Sequence, residues 1–308
     1  MLKRTLVPIV ATVGLALSTS ILALAQDKAT PISPTTEGNQ TMTASKTGYA
    51  PVNGINLYYE TYGTGEPLIL LHGGVGAIEM FGEVLPMLAQ GRQVIAVDLQ
   101  AHGRTADVDR PMTFEAMADD IAGLIQYLGF EKADVMGYSL GGTVALKTAI
   151  THPNLVRKLV LVSVPFKNDG WYPEVFAGMS QMSAAAAEPM KGTPMYQLYA
   201  SIAPKPEDWP VLLTKLGDLL RQPYDWSGDI SKITAQTMLV VGDSDSVRTS
   251  HAVEFFELLG GGQKDAGWDG SGMSKARLAV LPGITHYTIF SSPLLATTVI
   301  PFLDAPSQ

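Results

Sequence analysis

The chain has 308 residues, 46% of them hydrophobic and 16% charged, a balance typical of a globular protein with a sizeable core. Its formal net charge is −8 and no Lys/Arg cluster lies beyond the first residues, which argues against a nucleic-acid partner. The absence of cysteine excludes disulfides, thiolate metal sites, a lipoprotein anchor and a cysteine nucleophile.

The amino terminus is typical of a secretory signal peptide. A basic start precedes an apolar stretch that ends in an Ala-Leu-Ala cleavage box at Ala25. We therefore expect residues 1–25 to be removed, leaving a periplasmic or secreted protein without a membrane span. The alternative is an uncleaved anchor, because the apolar stretch approaches the length that spans a bilayer. Residues 26–47 are rich in small and polar residues and are expected to form a flexible leader.

The first folded elements lead to a glycine-dense loop. Strands are predicted at 48–52 and 55–62, joined by an Asn-Gly hairpin turn, and the apolar run 67–71 suits a strand buried on both faces. The loop His72-Gly73-Gly74-Val75-Gly76 follows, and its backbone N–H groups suit either a phosphate or an oxyanion. It has neither a Walker sequence nor the G-x-G-x-x-G spacing of a dinucleotide site.

Helices and strands then alternate up to a serine between two glycines. The pattern predicts a helix over 78–89, a strand over 93–97 and a helix over 114–128 with Thr113 as its N-cap. Gly137-Tyr138-Ser139-Leu140-Gly141 comes next, between a short buried strand and a helix. This pattern is typical of a nucleophile elbow, where the tight turn needs glycine on both sides and lifts the hydroxyl clear of the backbone. By itself, it is equally compatible with an ordinary glycine-rich turn.

The segment 165–233 differs in character from its flanks. Strand-like runs disappear, while Met, Ala, Pro and aromatic residues become frequent. We interpret this segment as a helical cap, or lid, inserted into an α/β core formed by residues 48–164 and 234–308. The α/β pattern resumes after it, with strands near 237–241 and 277–281 and a polar loop at 260–275 to which we assign no role. The whole predicts a mostly parallel sheet with helices on both faces.

A reactive serine needs a base and an acid that orients the base. In α/β sheets such groups collect at the carboxyl ends of strands. His286 follows the last predicted strand, so it is our candidate base. Asp245 is the preferred acid because the Gly-x-x-Asp loop lets its carboxylate turn back towards the imidazole, and Asp243 is the alternative.

Together, four motifs resemble those of α/β-hydrolase-fold serine hydrolases over residues 48–303. They are Leu71-His72-Gly73-Gly74, the loop Asp98-Leu99-Gln100-Ala101-His102-Gly103-Arg104-Thr105, the Ser139 elbow, and Gly242-Asp243-Ser244-Asp245 with Gly283-Ile284-Thr285-His286. Ala101 and Thr105 replace the usual Gly and Ser, and Val75 stands where the related proline iminopeptidases carry proline.

The resemblance implies a role for each matching residue. Ser139 would attack a carbonyl, His286 would relay the proton and Asp245 would hold the imidazole. The backbone N–H groups of Gly74 and Leu140 would bind the oxyanion. His72 would shape its loop, and Asp98 with His102 would brace the loops. For substrate contacts the candidates are Val75, Tyr138, Phe166, Trp171 and Tyr287.

This chemistry implies no metal or organic cofactor and a small-molecule, ester-like substrate. An ester is the first expectation and a lactone the second. Amide or peptide cleavage, C–C bond hydrolysis and haloperoxidase-like activity use the same triad, and a non-catalytic binding protein could keep the same scaffold. Dehalogenase and epoxide hydrolase chemistry is disfavoured, since related enzymes of those classes carry aspartate at the elbow.

Overall fold

The centre of the molecule is an eight-stranded sheet in the order β1-β2-β4-β3-β5-β6-β7-β8. The computed structural model describes residues 42–306, so the predicted signal peptide and most of the predicted leader lie outside the described residues. Strands β3 to β8 are parallel, whereas β2 is antiparallel to both β1 and β4. The strands are β1 Lys46–Val52, β2 Ile55–Tyr62, β3 Pro67–Leu71, β4 Gln93–Val97, β5 Ala133–Tyr138, β6 Val156–Val162, β7 Gln236–Ser244 and β8 Ala276–Thr285. The predicted mostly parallel α/β sheet is confirmed.

Helices pack on both faces of this sheet. The helices of the described residues are α1 Val84–Leu88, α2 Phe114–Tyr127, α3 Leu140–Thr151, α4 Pro173–Ser180, α5 Ala187–Met190, α6 Pro194–Ile202, α7 Trp209–Arg221, α8 Ser227–Ile230, α9 Thr249–Leu258 and α10 Pro293–Asp304. The Thr113 side chain accepts a hydrogen bond from the N–H of Ala116, as expected of an N-cap. Within residues 42–306 none of the helices is long and apolar enough to cross a lipid bilayer.

Strand β3 illustrates how the apolar runs fill two cores. Ile69 and Leu71 face the cluster that contains α2 and α3, while Leu68 and Leu70 face the cluster that contains α1 and α10. All four side chains are fully buried. Burial of each contributes about 1.5–3 kcal/mol relative to exposure. Because both faces are covered, an uninterrupted apolar run is what this position requires.

Some predicted boundaries were wrong, and strand β8, for example, continues four residues beyond the expected Leu281, to Thr285. Strand β1 begins at Lys46, two residues earlier than expected, because its pairing with β2 extends to Thr61. The predicted helix over 78–89 is divided into a 3₁₀ turn, Ile78–Phe81, and the short helix α1. Gly82 separates them with a φ of 46°, a left-handed conformation that ends the first turn and that glycine adopts without strain.

Helices α4 to α8 and three short 3₁₀ helices form the insertion between β6 and β7, in the fully described segment 165–233. Helix α7 buries one face of leucines, among them Leu212 and Leu216, against the α2 side of the core. Trp209 at its start is buried against Tyr199, with 5.0 Å between the ring centroids. Much of the aromatic content of this segment therefore serves packing.

Candidate active site

Ser139 lies at a strained corner between β5 and α3. Its φ of 51° and ψ of −116° are unusual for a residue other than glycine. A Cβ atom on Gly137 would lie 2.2 Å from the carbonyl oxygen of Gly141, and one on Gly141 would lie 2.4 Å from that of His72. Both glycines are therefore required by packing, which is the geometry predicted for a nucleophile elbow.

The structure brings Ser139, His286 and Asp245 into one hydrogen-bonded line. Nε2 of His286 lies 3.1 Å from Oγ of Ser139, and Nδ1 of His286 lies 2.9 Å from Oδ1 of Asp245. A carboxylate only accepts, so Nδ1 carries the proton and Nε2 is free to accept the proton of the hydroxyl. This is the arrangement in which a neutral imidazole acts as a general base towards a serine.

Asp245 is held by four donors. Oδ1 also accepts from the N–H of Val247, and Oδ2 accepts from the N–H of Gly242 and from the hydroxyl of Ser163. Burial by itself raises the pKa of Asp245, but the hydrogen bonds to its charged form, foremost that from His286, outweigh burial and lower the pKa below the ordinary value. The carboxylate therefore stays charged beside the imidazole.

The alternative acid, Asp243, faces away from this line. Its two carboxylate oxygens both lie 3.0 Å from the backbone nitrogen of Gly283, whose N–H they accept. Asp243 thus fixes the turn that precedes His286, while Asp245 contacts the imidazole itself.

Two backbone N–H groups beside Ser139 are left without a protein acceptor in the described part of the chain. The N–H of Gly73 points at the sulfur of Met80, that of Val75 donates to His102, and that of Gly141 donates to the carbonyl of His72. Those of Gly76 and Ser139 donate to the carbonyls of Gly73 and Val162, which leaves the N–H groups of Gly74 and Leu140, the predicted oxyanion donors. This arrangement is consistent with the predicted role, since such donors must be free before substrate arrives.

Two buried histidines hold the loop that carries Gly74. His72 donates from Nδ1 to the carbonyl of Gly73 and accepts at Nε2 from the N–H of Leu99. His102 donates from Nδ1 to the carbonyl of Gln100 and accepts at Nε2 from the N–H of Val75. Burial lowers the pKa of His102 to about 3, so the ring stays neutral and able to accept.

Val75 and Asp98 complete this support. Val75 has a φ of 54°, which a proline ring, fixed near −65°, cannot adopt. The loop therefore requires a residue other than the proline of the iminopeptidases. Asp98 accepts from the backbone N–H groups of Ile78 and Arg104 and so ties two loops together.

A cavity of about 740 Å³ opens beside Ser139. Four of the predicted contact residues line it, namely Val75, Tyr138, Trp171 and Tyr287. The prediction for Phe166 was wrong. Its side chain is fully buried and stacks on His251 with 4.2 Å between the ring centroids, because the chain turns inward directly after β6.

A family model described as the alpha/beta hydrolase fold matches residues 66–264. The chain belongs to this family. It is 38% identical over 118 residues to a soluble epoxide hydrolase of Corynebacterium sp. strain C12, which covers 37% of this chain and 40% of that protein. Over 115 residues it is 35% identical to an sn-1-specific diacylglycerol lipase of Danio rerio, covering 36% of each protein. The matched segments thus span well under half the length of these relatives.

Solved α/β hydrolases share the fold over a longer stretch. The E-2-(acetamidomethylene)succinate hydrolase superimposes with a TM-score of 0.66 over 84% of this chain and 99% of its own, at 22% identity. A likeness at this identity speaks for the fold, which agrees with the sheet order and the elbow described above.

Sequence reasoning missed several residues around the cavity of this α/β hydrolase. They come from five separated parts of the chain and include Met80, Phe114, Glu174, Leu216 and Phe290. Only Phe290 carried a signal, since it lies four residues after His286. The others are indistinguishable from ordinary packing residues until the fold is known.

Tyr138 joins the elbow to the histidine loop. Its hydroxyl donates to the main-chain carbonyl of His286 at 2.8 Å, and its ring lies 5.1 Å from the imidazole, centroid to centroid. The side chain is buried. This residue therefore fixes where the imidazole stands over Ser139, besides lining the cavity.

We predict that Tyr138→Phe lowers kcat/KM for the enzyme's substrate about three- to tenfold, since the main chain that carries the imidazole loses a donor that holds it, and a buried carbonyl without its donor costs about 1–3 kcal/mol of stability. Thermal unfolding should report a lower Tm for the same reason. The control is Tyr127→Phe, because Tyr127 is half exposed on α2 and lies outside the cavity. Equal kinetics in both variants would contradict this role of Tyr138.

Proposed function

We propose that the protein is a serine hydrolase that cleaves carboxylic esters or lactones of neutral, largely apolar substrates through an acyl-enzyme. The observation that carries this proposal is the hydrogen-bonded line from Asp245 through His286 to Ser139, beside two free backbone donors. Acyl transfer needs these parts together: a nucleophile, its base, the acid that orients the base, and an oxyanion site.

The proposed reaction proceeds in two halves. The Ser139 oxygen attacks the carbonyl carbon while Nε2 of His286 takes the hydroxyl proton. The tetrahedral oxyanion accepts from the N–H groups of Gly74 and Leu140, which contribute about 3 kcal/mol each to lowering the barrier. His286 then passes the proton to the leaving alcohol. In the second half, His286 activates a water that releases the acid from Ser139.

The lining of the cavity supports a neutral substrate. Among the described residues around it there is no Lys or Arg, and most are aliphatic, aromatic or Met side chains. The charged side chain at its entrance is that of Glu174, an exposed residue of the first turn of α4. An anionic acyl chain would find no counter-charge in the cavity and would meet a carboxylate on the way in.

The elbow residue separates this proposal from the activity named for one relative. Opening an epoxide through a carboxylate nucleophile needs aspartate where this chain carries Ser139. The lipase relative is named for ester cleavage, which agrees with the proposal. Amide and C–C bond hydrolysis use the same triad, so a panel of esters, lactones and amides with equal acyl groups decides among them.

We predict that Ser139→Ala lowers turnover of p-nitrophenyl butyrate by at least about a thousandfold, because the covalent step then has no nucleophile. The variant should fold normally, since the change removes one partly exposed hydroxyl. Ser201→Ala serves as a control because Ser201 is an exposed residue of α6 away from the cavity. Turnover in Ser139→Ala equal to wild type would rule the proposal out.

A second prediction concerns substrate charge. We compare two p-nitrophenyl esters of adipic acid, one whose far end is a neutral methyl ester and one whose far end is a free carboxylate. Wild type should hydrolyse the neutral ester with a kcat/KM at least about tenfold higher than that for the anionic ester. Glu174→Gln should lower the ratio of the two kcat/KM values about two- to threefold. Added salt should weaken this effect of the substitution because Glu174 is exposed.

The matched control is Glu131→Gln, which removes the same charge at the amino end of β5, opposite Ser139. That variant should keep the wild-type ratio. If wild type prefers the anionic ester, the neutral-substrate part of the proposal is wrong.

A further inference from the structure

Ser163 is a fully buried residue in a strained conformation. It directly follows β6, and its φ of 57° lies in the left-handed region. Glycine adopts this region freely, whereas serine does so at a cost. A non-glycine residue that keeps such a conformation points to a requirement for its side chain.

The contact that its side chain makes is with the acid of the proposed triad. Its hydroxyl donates to Oδ2 of Asp245, and its backbone N–H donates to the carbonyl of Val240 at 2.8 Å. Asp245 is ionised and can only accept, so the hydroxyl of Ser163 is the donor in this pair.

The four donors to Asp245 come from different parts of the fold. The N–H groups of Gly242 and Val247 belong to the same stretch of chain as Asp245 itself. His286 comes from the loop after β8. Ser163 alone among these donors comes from β6, on the other side of β7 in the sheet. Without its hydroxyl, Oδ2 would keep a single donor from its own loop.

We propose that Ser163 is a positioning residue for the triad, which holds the Asp245 carboxylate charged and aimed at His286. The left-handed conformation is what points its hydroxyl at Oδ2 from the end of the neighbouring strand. This inference rests on the proposed function. It adds a residue that never touches the substrate but sets the orientation and the protonation of the acid.

Two substitutions separate positioning from mere packing. Ser163→Gly removes the hydroxyl but also relieves the backbone strain, so its Tm should lie above that of Ser163→Ala while its turnover falls. Ser163→Ala removes the hydroxyl and keeps the strain, so it should lose the same turnover with a lower Tm than Ser163→Gly. If the role of Ser163 were purely structural, turnover would follow Tm and differ between the two variants.

The experiment measures kcat, KM and the pH profile of kcat/KM with p-nitrophenyl butyrate. We expect kcat to fall about tenfold in both variants, with KM nearly unchanged. A tenfold loss is the size of effect expected when one hydrogen bond to a charged group is removed. Loss of a donor to the charged form raises the pKa of Asp245. Because Asp245 shares a hydrogen bond with His286, the two titrate as a coupled pair, and the pair then takes up its proton at higher pH. The acid limb of the profile therefore moves to higher pH.

Thr148→Val is the matched control. Thr148 is fully buried on α3, and its hydroxyl donates to the carbonyl of Val144 at 2.8 Å, away from Asp245. The Thr148→Val variant loses a buried hydrogen bond of a similar kind and should keep the wild-type kcat and the wild-type acid limb of the pH profile. If Ser163→Gly keeps both as well, the positioning role is overturned.

The two proposals fail in distinguishable ways. If wild type shows no Ser139-dependent turnover of any ester, lactone or amide, the proposed function is wrong and the role of Ser163 falls with it. If wild type is active and Ser163→Gly and Ser163→Ala match it in kcat and pH profile, only the inference about Ser163 is wrong.

Discussion

The candidate site depends on one interaction, the hydrogen bond from Nδ1–H of His286 to Asp245. It fixes the tautomer of the imidazole, so that Nε2 accepts from Ser139. Two further sets of contacts support this bond. Tyr138 holds the main chain of His286, and three further donors help to keep Asp245 charged although it is buried. A protonated Asp245 could no longer stabilise the imidazolium that forms in the reaction.

Backbone strain collects on the same side of the sheet. Among residues 42–306 five residues other than glycine have a positive φ, and four of them, Val75, Ala101, Ser139 and Ser163, lie within four residues of the carboxyl ends of β3 to β6. Each holds a group at the site or supports a loop that does. Such conformations persist where surrounding contacts over-determine them, which is the case in this tightly hydrogen-bonded edge.

The residues of the candidate triad could be predicted from the sequence, because their positions follow from local patterns of strands and turns. Ser139, Asp245 and His286 each come just after a strand, so the topology of a parallel sheet gathers them at one edge. Phe166 and Ser163 show the limit of this reasoning. Both follow β6, yet which of them faces the site depends on a left-handed backbone at Ser163 that no sequence pattern announces. The part of the cavity lining that α4 and α7 supply was equally beyond reach, since these helices meet the elbow only through tertiary packing.

The central claim is that the Ser139 oxygen forms the covalent bond while Gly74 and Leu140 bind the oxyanion. The most direct measurement is a crystal structure of the protein inactivated with an alkyl fluorophosphonate. The account predicts phosphorus bonded to Oγ of Ser139, with the phosphonyl oxygen about 2.7–3.1 Å from both backbone nitrogens. An adduct on another residue, or a phosphonyl oxygen turned away from both N–H groups, would contradict it.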